Sequence, residues 1–231
     1  MTRLIIGLLL VLVVTTNGRT EDRAPLDGVQ RIVFLGDSNT YAGAFVAYVD
    51  AVLRQHHDVQ IDILNMGLPS ETASGLSEPD HPFPRPCVHE RLDRVLAKSK
   101  PDLVIAGYGI NDGIYYPFSE ERFAKYRDGI SLLVKKVKAS GADIILLTPS
   151  PFDPSPQRKA GKLRPDGSDK YAWFAVYENY DDVMSAYAKW ILQQYEKTVD
   201  IRTPLVERTK RGQKDDSGFA LSGDGVHFND E

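Results

Sequence analysis

The stretch Arg31-Ile32-Val33-Phe34-Leu35-Gly36-Asp37-Ser38-Asn39-Thr40 decides how the chain is read. A β-branched apolar run that stops at Gly-Asp reads as a buried strand. Downstream, Phe45, Val46, Val49, Val52 and Leu53 recur at helical spacing, so a helix is expected over residues 41–55. The pattern then repeats. Strands are expected over residues 59–65, 101–106 and 143–148, with a short fifth at 199–201. Helices are expected over residues 90–97, over 119–140, and through Tyr180, Val183, Met184, Tyr187 and Ile191. Ser119 can cap the long helix, Glu120 and Glu121 suit its positive end, Lys135, Lys136 and Lys138 its negative end, and Gly141 follows. Strands separated by helices imply βαβ units, hence a three-layer α/β/α domain with a parallel sheet of five strands.

Composition agrees and removes other classes. With 231 residues, 42% of them hydrophobic and 26% charged, the chain has ordinary globular composition and can bury a core without covalent staples. A net charge of −4, with no long Lys/Arg run, argues against nucleic-acid binding. The lone Cys87 excludes an intrachain disulfide.

The two ends stand apart. After Arg3 comes the uncharged run Leu4 to Val14, and then Thr15-Thr16-Asn17-Gly18. That run is shorter than the ~20 apolar residues a membrane span needs. Residues 1–18 therefore read as a secretory signal peptide, with a periplasmic or extracellular destination and no integral span once it is removed. There is no Ala-x-Ala cleavage pattern, and a retained N-terminal anchor is the alternative. Residues 19–30 are expected to form an exposed segment ahead of the domain at 31–231.

In an open parallel sheet, ligands bind beyond the carboxyl ends of the strands, so the residues following each strand are the candidates for chemistry. Ser38 sits on the turn between the first strand and its helix, among helix N-terminal amides that favour negative charge. Alternatively, Asp37 or Ser38 only caps that helix. Gly67 follows the second strand, where a glycine either permits a turn or lets an amide approach a ligand. Asn111, in Gly109-Ile110-Asn111-Asp112 after the third, either donates its amide to an oxyanion or closes an Asx turn. Near the end, Asp224-Gly225-Val226-His227 brings a carboxylate and an imidazole to one side of a turn.

In that order, these four blocks resemble the SGNH hydrolases, also called GDSL esterases and lipases, over nearly all of the chain after the expected signal segment. The resemblance implies a flavodoxin-like sheet and hydrolysis of an ester through an acyl-enzyme, with no metal or organic cofactor. By it, Ser38 is the nucleophile, His227 the general base, and Asp224 the residue that orients the imidazole. The oxyanion hole would be the N–H groups of Ser38 and Gly67 and the side-chain amide of Asn111. In this family a helix follows the His block. Here only Phe228, Asn229, Asp230 and Glu231 remain, which implies a truncated chain whose His227 loop lacks support.

Asn39, Tyr115, Tyr116 and Trp173 are candidate substrate contacts, and Phe118, Phe174 and Tyr177 are further aromatics expected near the sheet top. A small acyl ester is the expected substrate, with an acetylated carbohydrate as the specific suggestion. A lipid or lysophospholipid ester and a thioester are alternatives within the fold. A catalytically silent carbohydrate-binding module is the alternative of another class, and a metal phosphoesterase using Asp37, Asn111, Asp112 and His227 a third. His56 and His57 read as surface residues at a helix end. The spacing of His81, Cys87 and His89 fits no standard zinc pattern.

Overall fold

The computed structural model describes residue 26, residues 28–56 and residues 61–229. The expected signal segment, His57 and the last two residues lie outside them. Among the described residues, no helix is long and apolar enough to cross a membrane.

Five parallel strands form the central sheet: β1 (Arg31–Gly36), β2 (Asp62–Gly67), β3 (Leu103–Gly107), β4 (Asp143–Leu147) and β7 (Thr198–Val199). Their order is β2-β1-β3-β4-β7, the flavodoxin-like arrangement, with Gly36 in register with Gly67 on one side and Gly107 on the other. The three strand ends that precede Ser38, the β2 loop and Asn111 therefore stand side by side. The chain forms the expected three-layer α/β/α fold.

One face carries the larger core. There α3 (Leu92–Ser99), α4 (Glu120–Ala139) and α6 (Tyr180–Gln194) bury Leu92, Leu96, Tyr126, Ile130, Leu133, Val137, Val183 and Tyr187 against β1, β3 and β4. The ends of α4 follow from its sequence: the Ser119 side chain accepts from the Arg122 N–H, with Glu120 and Glu121 in the first turn and Lys136 and Lys138 in the last. The other face holds a smaller cluster, in which Ile32, Phe34, Val46, Ile61 and Leu103 pack with Phe45, Val49 and Leu53 of α2 (Ala44–His56). Leu26 and Val29 are half-buried against it, so part of the segment expected to be exposed is packed.

Several expectations are corrected. The helix expected over residues 41–55 begins earlier, with α1 (Ser38–Ala42) starting as soon as β1 ends, and breaks at Gly43, whose φ of 85° is left-handed. Strand β2 lies two or three residues later than expected, because its pairing with β1 runs on to Gly67. The fifth strand stops at Val199 because Asp200 turns away to open α7 (Arg202–Asp215): its carboxylate accepts from the N–H and hydroxyl of Thr203, at 3.0 and 2.6 Å. No residue of α7 is fully buried, and its apolar residues are confined to Pro204, Leu205 and Val206, so no apolar repeat marks it in the sequence. In the segment after β4, α5 (Pro154–Lys159) and the two-residue strands β5 (Leu163–Arg164) and β6 (Val176–Tyr177) form a small cap.

Candidate active site

Ser38 is the first residue of α1. The preceding Asp37 caps that helix, its carboxylate accepting the Asn39 N–H at 3.0 Å. Asp37 is buried, and burial pushes its carboxyl up to about 7 in spite of that hydrogen bond. The capping alternative therefore applies to Asp37 and leaves the Ser38 hydroxyl for other use.

His227 arrives from 189 residues away in sequence. Its Nε2 lies 2.8 Å from Ser38 Oγ and its Nδ1 lies 2.6 Å from Asp224 Oδ2. The chemistry of the partners assigns the protons. An ionised carboxylate only accepts, so Nδ1 carries the hydrogen and the Nε2 lone pair faces the serine hydroxyl. Asp224 is held ionised. Its Oδ1 accepts from the N–H groups of Val226 and His227 and from the Ser222 hydroxyl, at 2.9, 2.8 and 3.0 Å. Although burial works against its charge, the hydrogen bonds from His227 and Val226 keep the carboxyl far below the usual range. In return the hydrogen bond to Asp224 raises His227 above its ordinary 6.5, with burial opposing and the charges of Asp224 and Asp37 adding to the rise.

The loop bearing Asp224 and His227 is tied down from two sides. Asn39 Nδ2 donates to the Val226 carbonyl at 3.1 Å and its Oδ1 accepts the Phe228 N–H at 3.4 Å. From α5, Gln157 Nε2 donates to the Asp224 carbonyl at 2.7 Å, and just before α5 the Asp153 N–H donates to the Gly225 carbonyl at 3.0 Å. Asn39, expected as a substrate contact, thus has its side chain engaged in holding the histidine loop.

Asn111 follows β3 and is buried at 3% exposure. Its Oδ1 accepts from Arg85 Nη1 at 3.0 Å and from the Tyr115 hydroxyl at 3.2 Å, while Nδ2 donates to the Glu71 carbonyl at 3.3 Å. The neighbouring Asp112 ties the β3 loop to the β2 loop by accepting the N–H groups of Ala73 and Ser74 at 2.9 and 2.7 Å. Burial pushes Asp112 up to about 6 against those bonds.

Gly67 is placed differently from expectation. The Leu68 N–H donates to the Gly36 carbonyl of β1, so the Gly67 N–H, one residue earlier on the edge strand, faces away from β1. It donates instead to Asn65 Oδ1 at 2.9 Å. Glycine is required here for space, since a Cβ would run into the Tyr41 backbone. Three residues on, Ser70 adopts a left-handed φ of 65°, and no hydrogen bond among the described residues engages its N–H.

The aromatic candidates divide. Tyr115 is buried behind Asn111, and so is no wall of an open cleft. Tyr116 is half-buried, packed against Tyr171 and under the Arg122 guanidinium. Trp173 is exposed. Sequence reasoning missed a set of paired charges: the buried Arg85 and Glu78, and the buried Glu71, whose two oxygens accept from the half-buried Arg91 and whose Oε2 also accepts the Tyr108 hydroxyl at 2.6 Å. Their only signal was charged residues between the expected second strand and the helix expected over residues 90–97, within which Arg91 falls. No group of three or more metal-ligating side chains occurs among the described residues, and His89 lies with Nε2 3.1 Å from the Gly129 carbonyl.

Beside His227 opens a mostly apolar cavity of about 650 Å³, lined by Phe45, Tyr48, Ile110, Leu147, Ile201 and Leu205 among others.

A flavodoxin-like sheet with a hydrogen-bonded serine, histidine and aspartate at its carboxyl edge is the arrangement of an SGNH-type hydrolase. The family model described as the GDSL-like Lipase/Acylhydrolase family matches residues 34–231. The chain belongs to that family and is a hydrolase of ester bonds. No curated protein matches it in sequence. Solved structures share its fold. BT4096, a gut microbial diltiazem-metabolizing enzyme, is 18% identical with a TM-score of 0.65, over 87% of this chain but only 43% of that one. A catalytic mutant of Axe2, an acetylxylan esterase from Geobacillus stearothermophilus, is 22% identical with a TM-score of 0.58, over 87% of both chains. The esterase EstA from Pseudoalteromonas sp. is 18% identical with a TM-score of 0.54, over 87% of this chain and 88% of that one.

Proposed function

We propose that the protein is an exported serine esterase that releases a small acyl group through an acyl-enzyme, and that an acetylated carbohydrate is its substrate. The observation that carries the reading is the unbroken line from Asp224 through His227 to Ser38, at 2.6 and 2.8 Å. Serine is a weak nucleophile until an adjacent base takes its proton. Ser38 Oγ attacks the ester carbonyl as its proton passes to His227 Nε2, giving a tetrahedral oxyanion and an imidazolium facing Asp224. The imidazolium returns the proton to the leaving alcohol, and the same base then activates water to free Ser38.

The developing oxyanion is met by the Ser38 N–H and by the Nδ2 hydrogen of Asn111 that is not donated to Glu71. In place of Gly67, whose N–H is engaged by Asn65, the unclaimed Ser70 N–H completes the hole. The acetyl and carbohydrate parts of the reading are supported by the fold shared with Axe2, whose name is that of an acetylxylan esterase, and by exposed Trp173. Export is supported by the sequence of residues 1–18.

The apolar cavity beside His227 favours a second reading, in which the acyl group is a longer chain. Kinetics on p-nitrophenyl esters of increasing chain length separate the two: kcat/KM that peaks at acetate supports the first, and a peak at octanoate the second. Ser38→Ala is expected to abolish both turnover and fluorophosphonate labelling. Labelling that survives in that variant refutes the nucleophile.

A further inference from the structure

The geometry points to Arg85 as a positioning residue that fixes the Asn111 amide, through its carbonyl oxygen, as a hydrogen-bond donor to the reacting ester. This rests on the proposed role of Asn111 in the oxyanion hole.

Arg85 and its partner Glu78 are both buried, at 5% and 2% exposure. Arg85 Nε and Nη2 meet Glu78 Oε2 and Oε1 at 2.6 and 2.7 Å, a bidentate pair that neutralises the charge. The third nitrogen, Nη1, points the other way. It donates to Asn111 Oδ1 at 3.0 Å and to the Ser70 carbonyl at 3.4 Å, and the guanidinium carbon lies 5.5 Å from the centre of the Tyr115 ring.

Three consequences follow from this arrangement. A guanidinium has no acceptor, so the atom of Asn111 facing it is the oxygen and the NH2 group is turned to the opposite side. The Tyr115 hydroxyl, the second donor to Oδ1, enforces the same orientation. A cation at the amide oxygen also draws electron density through the planar amide toward oxygen, which makes the Nδ2 hydrogens stronger donors. Finally, one nitrogen bridges the β2 loop at Ser70 and the β3 loop at Asn111, so both walls of the hole are referred to a single rigid group.

Energetics favour such a role over simple stabilisation. A buried ion pair contributes little net stability compared with well-packed apolar residues of the same volume, because desolvating both charges offsets their attraction. A pair kept beside Asn111 serves the placement of a dipole, and a dipole fixed before the reaction is what oxyanion stabilisation needs.

The test uses Arg85→Met combined with Glu78→Leu, which removes both charges together and leaves neither stranded, with Arg85→Lys as a second variant. Steady-state kinetics on p-nitrophenyl acetate should show kcat lowered by roughly 10- to 100-fold, the range for a misplaced reacting group. KM and the acid limb of the pH profile should not move, and an alkylboronic acid, whose adduct with Ser38 places an oxygen in the hole, should bind more weakly by the same factor as kcat falls. Adding Asn111→Ala to the paired variant should cost little more, although alone it costs about 10²- to 10³-fold.

A folded paired variant with kcat within about twofold of wild type, or a full multiplicative loss on adding Asn111→Ala, overturns the role of Arg85. If Asn111→Ala alone leaves kcat untouched, the oxyanion reading itself fails. Should the paired variant not fold, Arg85→Lys decides: it keeps a charge for Glu78 but loses the fork, and retention of full kcat overturns the inference.

Discussion

The loop that carries Asp224 and His227 and the wall that carries Asn111 serve one reaction but are built in opposite ways. The side chains of His227 and Asp224 are about half exposed, at 52% and 48%, and their loop is held by side-chain clamps from Asn39 and Gln157. Asn111 is 3% exposed and sits among Arg85, Glu78 and Glu71, all buried. The difference matches the two tasks. A base that takes a proton from serine and later from water must reach solvent, whereas a donor to an oxyanion is effective only when its orientation is set beforehand in a water-poor site.

The largest effects should come from the exposed relay. Asp224→Asn keeps the size of the side chain but no longer dictates the Nδ1–H tautomer, and kcat should fall on the order of 10⁴-fold, as for the equivalent change in other serine–histidine–aspartate sites. The acid limb of the profile tests the same contact. His227 must be neutral to act, and its pKa is raised above 6.5 mainly by the hydrogen bond to Asp224, so wild-type activity should rise through a pH above 6.5. In Asp224→Asn the limb of the residual activity should move down. An unchanged limb would show that Asp224 does not set the basicity of His227.

Next in size is the buried wall. Asn111→Ala should lower kcat by about 10²- to 10³-fold with KM nearly constant, since the lost donor acts on charge that exists only in the transition state. The limb should stay where it is, because Asn111 is not among the groups that set His227. A limb displaced by Asn111→Ala would mean that the two regions are not separable.

Much of the fold was legible in the sequence, because it depends on local signals, whereas the partnership of Ser38 with His227, 189 residues apart, was implied only by the resemblance to the family. The run Ile32 to Leu35 ending in Gly36-Asp37-Ser38 announces strand, turn and helix start together, and Asp224 and His227 sit within one turn of each other. The buried wall was not legible. Glu71, Glu78, Arg85 and Arg91 are residue types that usually face water, and only the tertiary fold shows that each is paired. Gly67 was misplaced for a related reason: which way a strand N–H points depends on which neighbour the strand pairs with, and that is settled far away in sequence. Helix α7 escaped because its apolar residues are confined to Pro204, Leu205 and Val206, less than one turn, and leave no periodic trace.

The clamp on the histidine loop gives a smaller effect. Asn39→Ala removes two hydrogen bonds to the histidine loop without touching Ser38, His227 or Asn111. Stability should fall by about 1 to 2 kcal/mol and kcat by roughly tenfold as His227 samples positions out of reach of Ser38. Thermal melts paired with p-nitrophenyl acetate kinetics measure both. Loss of stability with full kcat would mean that Gln157 and Asp153 alone keep the loop in place.

The smallest effect concerns Asp37, which caps the helix that presents Ser38 and whose charge bears on His227. Its carboxyl is pushed from 3.8 up to about 7 by burial, so between those values the folded protein holds a proton that the unfolded chain has released. By linkage, this group lowers stability progressively as pH rises from about 4 to about 7, and the whole penalty is present above that. Asp37→Asn keeps an oxygen for the Asn39 N–H and removes the charge. Its melting temperature relative to wild type should therefore improve from pH 5 to pH 8. The acid limb should move down as well, by less than in Asp224→Asn, because Asp37 acts on His227 only through space. A melting difference that is the same at both pH values would show that Asp37 is already ionised at pH 5 in the folded protein, as it is in the unfolded chain, and that burial does not raise its carboxyl.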